Sequence, residues 1–233
     1  TLAPVADVVT LDDVTAECSV ETLTAPTATD NCSGSITATT TTTFPIEAQG
    51  VTLVTWTYLD VEGNISTQTQ NVIIDDITTP VADVAALADV TAECSVEILT
   101  APTATDNCSG SLTGTTTTAF PVTTQGTTLV TWTFTDTSGN VSTQTQNVII
   151  EDVTIPIVIT QDITVFLDSN GEALISATDI DDGSVDNCDG TLTFDLDIAL
   201  FTCDDVGDNL VTLTVTDVNG NSDSLEAIVS VEN

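Results

Sequence analysis

Apolar and polar residues alternate along three related stretches, Leu53-Val-Thr-Trp-Thr-Tyr58, Leu129-Val-Thr-Trp-Thr-Phe134 and Leu210-Val-Thr-Leu-Thr-Val215. A period of two puts successive side chains on opposite faces, which predicts β-strands rather than helices. Each stretch runs into an Asp-x-x-Gly-Asn turn, at residues 60–64, 136–140 and 217–221, and then into a further strand such as Gln70-Asn-Val-Ile-Ile74. That order predicts a hairpin, with Gly and Asn supplying the positive φ the turn needs. Earlier strands are expected at 14–18, 22–29 and 35–43, and no segment shows the 3.6-residue period of a helix. Trp56 and Trp132 are expected in cores. The Thr runs at 39–43 and 115–118 read as two-sided or edge strand.

The pattern recurs because the chain repeats itself. A shift of 76 residues superimposes Cys18 on Cys94, Cys32 on Cys108 and Trp56 on Trp132, and 57 of the 76 positions from 5 to 80 are identical to those from 81 to 156. The third unit diverges but keeps Asp186-Asn187-Cys188 and the 217–221 turn. Some seven short strands per unit predict an all-β fold of three tandem immunoglobulin-like β-sandwich domains in a rod, at 1–78, 79–154 and 155–233. The last residues, Glu232-Asn233, followed by Thr1-Leu2-Ala3-Pro4 would regenerate an ordinary junction in register. The expected partners are therefore adjacent repeats or copies of the chain, head to tail.

Charge narrows the chemistry. Among 233 residues there are 36 Asp and Glu and no Lys, Arg or His, for a net charge of −36. Such a chain cannot neutralise phosphates, which excludes nucleic acid as a partner, and anionic membrane surfaces repel it. It has no imidazole for a nucleophile pair or a metal site, and no Lys for a Schiff base or an isopeptide crosslink. With 41% hydrophobic residues the charge does not imply disorder. Thr, at 49 residues, is about a fifth of the chain and favours strands. No apolar run approaches the roughly 20 residues that span a bilayer, so membrane insertion is not expected. Two carboxylates can hydrolyse a glycoside, but near-identical repetition argues against a unique active site, and no enzyme is expected.

Six cysteines, two per unit and without His partners, suggest disulfides and an oxidising compartment. The simplest pairing is Cys18–Cys32, Cys94–Cys108 and Cys188–Cys203, closing loops that would stabilise by about 3 kcal/mol each. The rival staples neighbours, Cys18 to Cys108 and Cys94 to Cys188. It gains weight if Cys18 ends a strand, since eight residues span roughly 26 Å, beyond disulfide reach.

In a sandwich, the Asp-Asn-Cys loop and the Asp-x-x-Gly-Asn turn share one pole, and that pole receives the last strand of the preceding unit. The expected acidic sets are Asp75, Asp76, Asp106, Asn107, Asp136 and Asn140 at the first junction, and Glu151, Asp152, Asp186, Asn187, Asp217 and Asn221 at the second. The first unit presents Asp30, Asn31, Asp60 and Asn64. Carboxylates crowded without a cationic side chain repel one another, and a divalent ion reverses that interaction. Ca2+, which takes six to eight oxygens, is the expected cofactor. The plainer reading makes these residues turn formers and solubilising surface. Asp179, Asp181, Asp182 and Asp189 suggest a further loop site.

These units resemble hyalin-repeat (HYR-type) and related immunoglobulin-like tandem repeats of giant cell-surface proteins of Bacteroidetes-type bacteria. The residues that carry the resemblance are Ala101-Pro-Thr-Ala-Thr-Asp-Asn-Cys108, Gln125-Gly-Thr-Thr-Leu-Val-Thr-Trp132 and Asp136-Thr-Ser-Gly-Asn140, with their first-unit equivalents. In the third unit Asp162-Ile-Thr-Val165 and Asp186-Asn-Cys188 carry it. The resemblance implies an extracellular role, on a bacterial surface or secreted, as a repeat of a filament or adhesin stalk. The alternative is a carbohydrate- or host-surface-binding module, with the glycan or surface target met by terminal domains elsewhere.

Overall fold

A computed structural model describes residues 2–188 and 190–233. Its contacts group the chain into two compact units, Thr1–Leu87 with Thr100–Thr117 and Thr131–Thr145, and Ala88–Leu99 with Thr118–Val130 and Gln146–Asn233. Each unit contains one junction between repeats entire.

In the first unit, the first repeat packs two sheets face to face. Val5–Ala6, Thr27–Asp30 and Gly34–Thr37 form one, antiparallel throughout. Gly50–Leu59 and Ile65–Ile74 form the predicted hairpin of the other, and Val14–Ala16 joins its far edge in parallel, with Val14 opposite Val72. Alternation along Gly50–Leu59 turns Val54, Trp56 and Tyr58 inward, against Ala28, Ile46, Val72 and Ile74. The inward phase of Ile65–Ile74 also carries two glutamines, and the aromatic donors meet them. Trp56 Nε1 donates to Gln70 Oε1 at 3.1 Å, and the Tyr58 hydroxyl donates to Gln68 Oε1 at 2.7 Å. Both glutamine amides then donate to carbonyls of the leading loop, Asp12 and Val8, so these inward polar groups are partnered at both ends.

The 60–64 turn departs from expectation in one detail. Gly63 takes the positive φ, +87°, but among the described residues no other residue type has one. Asn64 stays in an ordinary conformation, and its side chain donates instead to Asp60 Oδ2 at 2.7 Å. The early strands are also shorter than 14–18, 22–29 and 35–43. Pro26 has no N–H to give a ladder, and past Thr37 pairing shrinks to a bridge between Thr39 and Thr57.

In the second unit, Val90–Ala92 runs parallel to the end of Val141–Ile150, repeating the arrangement of the first repeat. The third repeat assembles Ile163–Phe166, Ser222–Glu232, Gly207–Thr216 and Thr193–Leu196 into a four-stranded sheet, faced by the pair Glu172–Leu174 and Leu200–Thr202. Its core gathers Ile175, Ile180, Phe201, Val211, Leu213, Val215 and Val229. A single helical turn, Ala177–Ile180, interrupts the all-strand pattern. It is too short for periodicity to register. A capping box starts it, with Asp179 Oδ2 accepting from the Ser176 backbone N–H at 2.7 Å. Among the described residues no helix is long and apolar enough to cross a membrane.

Candidate metal centre at the repeat junctions

The last strand of the first repeat delivers Asp76 in the same phase as Val72 and Ile74, so its carboxylate points inward and is 4% exposed. Two acids of the second repeat face it, Asp106 at the end of Thr103–Asp106 and Asp136 at the start of the 136–140 turn, 4% and 6% exposed. One oxygen from each of the three lies within 4.8 Å of the others.

The turn geometry aims these groups. Asp106 Oδ1 accepts from the backbone N–H of Cys108 at 2.9 Å and of Ser109 at 2.7 Å. Asp136 Oδ1 accepts from the N–H of Ser138 and Asn140, and its Oδ2 from the Asn140 amide at 2.8 Å. The same amide donates to the Asp76 carbonyl at 2.9 Å, linking one repeat to the next. Asp76 Oδ1 accepts from the Thr78 N–H at 3.1 Å. The remaining oxygens, Asp76 Oδ2 and Asp106 Oδ2, are buried without a hydrogen-bond partner. Buried, unpartnered carboxylate oxygens are costly unless a proton or a cation compensates them. Oxygens on one calcium, at 2.3–2.6 Å, can be at most roughly 4.6–5.2 Å apart, so the set fits that ion.

The second junction shares part of this construction. Asp152 and Asp217 are buried and Asp186 half-buried. The ligand atoms within 4.8 Å of one another there come from Asp152, Asp186 and Cys188 rather than from three acids. Asn221 donates to Asp217 Oδ2 at 2.8 Å and to the Asp152 carbonyl at 3.1 Å. Asp186 Oδ1 is again buried and unpartnered. Burial raises the Asp152 carboxyl above its ordinary pKa, and the carboxylates of Asp186, Asp217 and Glu93 push the same way against the Thr154 N–H. Burial also acts to raise Asp136 and Asp217, but the donors of Asn140 and Asn221 and the turn N–H groups outweigh it and hold both below the ordinary value.

Not every residue expected in these sets converges. Asp75 and Glu151 are exposed, one position out of phase with their inward neighbours. Asn107 and Asn187 turn aside, and their amides donate to Glu17 and Glu93 at 2.7 and 2.6 Å. Those two glutamates escaped the sequence reading, although each directly precedes a junction cysteine in a repeated Ala-Glu-Cys. They also accept from Thr78 and Thr154. In the first repeat Asp30 and Asp60 gather with Glu62 within 4.8 Å. Asn64 belongs to the 60–64 turn, and Asn31 is exposed. In the third repeat Asp179 caps the helical turn and Asp181 accepts from Ser184, so both serve local turns, and Asp182 is exposed. Asp189 lies outside the described residues.

The disulfides overturn the simpler pairing. Cys18 bonds Cys108 and Cys94 bonds Cys188, with Cα separations of 5.0 and 5.1 Å. Cys32 and Cys203 are free and exposed, so neither Cys18–Cys32, Cys94–Cys108 nor Cys188–Cys203 forms. The reason is polarity along the repeat. Cys18 follows Val14–Ala16 beside Ile74, whereas Cys32 lies by the 60–64 turn, where the Val61 N–H donates to Ser33 Oγ. The ten-residue strand Ile65–Ile74 separates those poles, a span of roughly 33 Å. Cys108 and Cys188 are grouped with acids in clusters close enough for a metal, but as half-cystines they offer no thiolate.

The sequence family described as "HYR-like domain with 4 cysteines" matches residues 5–74 and 79–150, more than half of the chain. No curated protein matches the sequence. Among solved structures, mouse cadherin-23 EC22-24 superposes with a TM-score of 0.37 at 14% identity, covering 98% of each chain. The protocadherin gammaB4 extracellular domain gives 0.34 at 14% identity, covering 98% of this chain. This chain spans about half of that structure, 49%. An endo-fucoidan hydrolase of glycoside hydrolase family 107 gives 0.29 at 14% identity, over 92% of this chain and 38% of its own. Likeness this loose transfers neither ions, partners nor activity.

Proposed function

Taking as premise that this chain belongs to the family of HYR-like domains with four cysteines, we propose that it is a structural repeat segment of an extracellular bacterial surface filament or adhesin stalk, stiffened by calcium between adjacent repeats. The single observation behind this reading is the set of three buried carboxylates, Asp76, Asp106 and Asp136, contributed by both sides of a junction in a chain without one cationic side chain. A cation there would be held by Asp76 from one repeat and by Asp106 and Asp136 from the next, with carbonyls or water completing the six to eight oxygens of calcium. Removing the ion would leave like charges facing each other and loosen the joint. The disulfide Cys18–Cys108 keeps the two repeats attached in either case, and it suits an oxidising, extracellular setting.

A glycan-binding role has less to work with. Trp56, Tyr58, Trp132, Phe134 and Phe201 are committed to cores, so five of nine aromatics are not available for stacking on sugars.

Calcium titration calorimetry on the full chain tests the reading, together with thermal unfolding in calcium and in excess chelator. The expected result is one ion per junction with saturable heats, and a melting temperature that falls on chelation. Flat heats and an unchanged melting temperature would overturn it.

A further inference from the structure

Three consecutive residues, Asp106-Asn107-Cys108, do three jobs at the first junction. Asp106 supplies one of the three carboxylates of the candidate metal centre, Asn107 donates to Glu17 Oε2 at 2.7 Å, and Cys108 closes the disulfide to Cys18. Acid and sulfur share a frame, because Asp106 Oδ1 accepts from the N–H of Cys108 at 2.9 Å and of Ser109 at 2.7 Å. The facing side is built alike. The segment that carries Cys18 is bonded to the strand end that carries Asp76, by the Asp75 N–H to the Ala16 carbonyl at 3.0 Å and by the Thr78 hydroxyl to Glu17 Oε2 at 2.7 Å. One carboxylate oxygen each from Glu17 and Asp76 lies within 4.8 Å of the Cys108 sulfur. The disulfide and the cation site therefore span the same gap, from the last strand of one repeat to the Asp-Asn-Cys loop of the next.

The second junction has the same link between sulfur and acid. Asp186 Oδ2 accepts from the Cys188 N–H at 3.0 Å, Asn187 donates to Glu93 Oε2 at 2.6 Å, and Cys188 bonds Cys94. The Glu151 N–H donates to the Ala92 carbonyl at 3.0 Å and the Thr154 hydroxyl to Glu93 Oε2 at 2.6 Å, which ties the segment of Cys94 to the strand end of Asp152. Oxygens of Asp152 and Asp186 lie within 4.8 Å of the Cys188 sulfur. Asp186 Oδ1, like Asp76 Oδ2 and Asp106 Oδ2, is buried without a hydrogen-bond partner, so each disulfide stands beside an acid oxygen whose burial a cation would offset. All four bonded cysteines are half-buried, within reach of a small thiol.

We propose that each disulfide between repeats is reciprocally coupled to the cation site beside it: the closed bond raises the affinity of the junction for calcium, and bound calcium makes the bond harder to reduce. The inference rests on the calcium reading above and adds its control by thiol redox state. With Cys18–Cys108 closed, Asp76 and Asp106 are already held face to face, so an ion has less chain to order. With the bond broken, the carboxylates repel one another and the loop that carries Asp106 is free to withdraw. Coupling of this kind is symmetric. The factor by which oxidation tightens calcium equals the factor by which calcium shifts the thiol–disulfide equilibrium. Reduction by a dithiol such as dithiothreitol proceeds through a mixed disulfide, which the second thiolate of the reductant then resolves. One protein disulfide and one dithiol become two protein thiols and one cyclic disulfide. Couplings between sites commonly amount to about 5- to 150-fold, and tenfold corresponds to about 30 mV for this two-electron couple.

The test equilibrates the full wild-type chain in graded mixtures of reduced and oxidised dithiothreitol, in saturating calcium and in excess chelator. Alkylation then traps the thiols, and Glu-C peptides report Cys18–Cys108 and Cys94–Cys188 separately. Calcium should move both equilibria toward the disulfide by about 5- to 150-fold. Asp76→Asn should shrink that shift at Cys18–Cys108 and leave it intact at Cys94–Cys188. In calorimetry, Cys18→Ser/Cys108→Ser should weaken one calcium site by the same factor, while the other keeps its wild-type affinity and so reports that the chain is folded. Should that variant not fold, the redox titration of the wild type still decides. Calcium that binds the oxidised chain yet leaves both reduction equilibria where chelator puts them would overturn the coupling and leave the calcium reading standing. Wild-type affinity at both sites of Cys18→Ser/Cys108→Ser would do the same. Flat calcium heats from the oxidised wild type would overturn both.

Discussion

The side-chain amide of Asn140 donates to the backbone carbonyl of Asp76, 64 residues earlier in the chain, at 2.9 Å, while also donating to Asp136 Oδ2 at 2.8 Å. One amide thus closes a turn and ties two repeats. Asn140→Ala would leave the Asp76 carbonyl and a buried carboxylate oxygen short of a donor, at a cost of about 1–3 kcal/mol. Urea unfolding should show the loss, and Asn140→Asp should lose more because it adds a fourth acid to the cluster. Equal stability of Asn140→Ala and wild type would show that the tie contributes nothing.

Neutralising one carboxylate should change sign with the ion. Asp76→Asn removes one of three mutually repelling groups, so in chelator the variant should melt at or above the wild-type temperature. In saturating calcium it should melt below wild type, because a ligand that binds only the folded state stabilises it more the tighter it binds, with the logarithm of its concentration over Kd. A variant that melts lower in both conditions would point to packing rather than charge.

The pH dependence has two components of opposite sign. Asp136, Asp217, Asp30 and Asp60 are held below the ordinary aspartate value by their donors. Their stabilisation is complete above roughly pH 4 and is lost as pH falls through their folded values. Asp152 is raised, so the folded state keeps its proton longer than the unfolded chain, and stability falls as pH rises through the folded value. In chelator, Asp152→Asn should therefore be more stable than wild type at neutral pH, with a gap that closes toward roughly pH 4. Melting curves across that range, with a gap independent of pH, would contradict the assignment.

Removing Cys18–Cys108 should loosen the junction without unfolding either sandwich core, since the bond joins residues 90 apart across repeats rather than within one. The chain-entropy model puts the effect at up to about 4.5 kcal/mol for a loop of this size. Cys18→Ser/Cys108→Ser should keep its β-sheet circular dichroism and buried-tryptophan fluorescence, and should exchange amide hydrogens faster at 75–78 and 136–140. Melting of the whole first sandwich on reduction would contradict this.

Much of the fold was legible along the chain because alternation is local. Leu53 to Tyr58 shows its buried face in six residues, and the 76-residue repeat carries that face to a second copy. Glycine in the turn was legible too, since only Gly63 takes the positive φ there. The same period of two, continued from Val72 and Ile74, selects Asp76 over Asp75 as the inward acid, a signal present in the sequence itself.

Pairing between poles was not legible. Cys18 is 14 residues from Cys32 and 90 from Cys108, so spacing along the chain favours the wrong partner. What decides is the direction in which Val14–Ala16 runs, parallel to the end of the last strand, carrying Cys18 away from Cys32 and toward the next repeat. The sequence by itself determined the strands, the repeat and a net charge of −36 with no cationic side chain. Only the tertiary structure decided which acids and which sulfurs meet, because a ten-residue strand separates groups that are near in sequence and joins groups that are far apart.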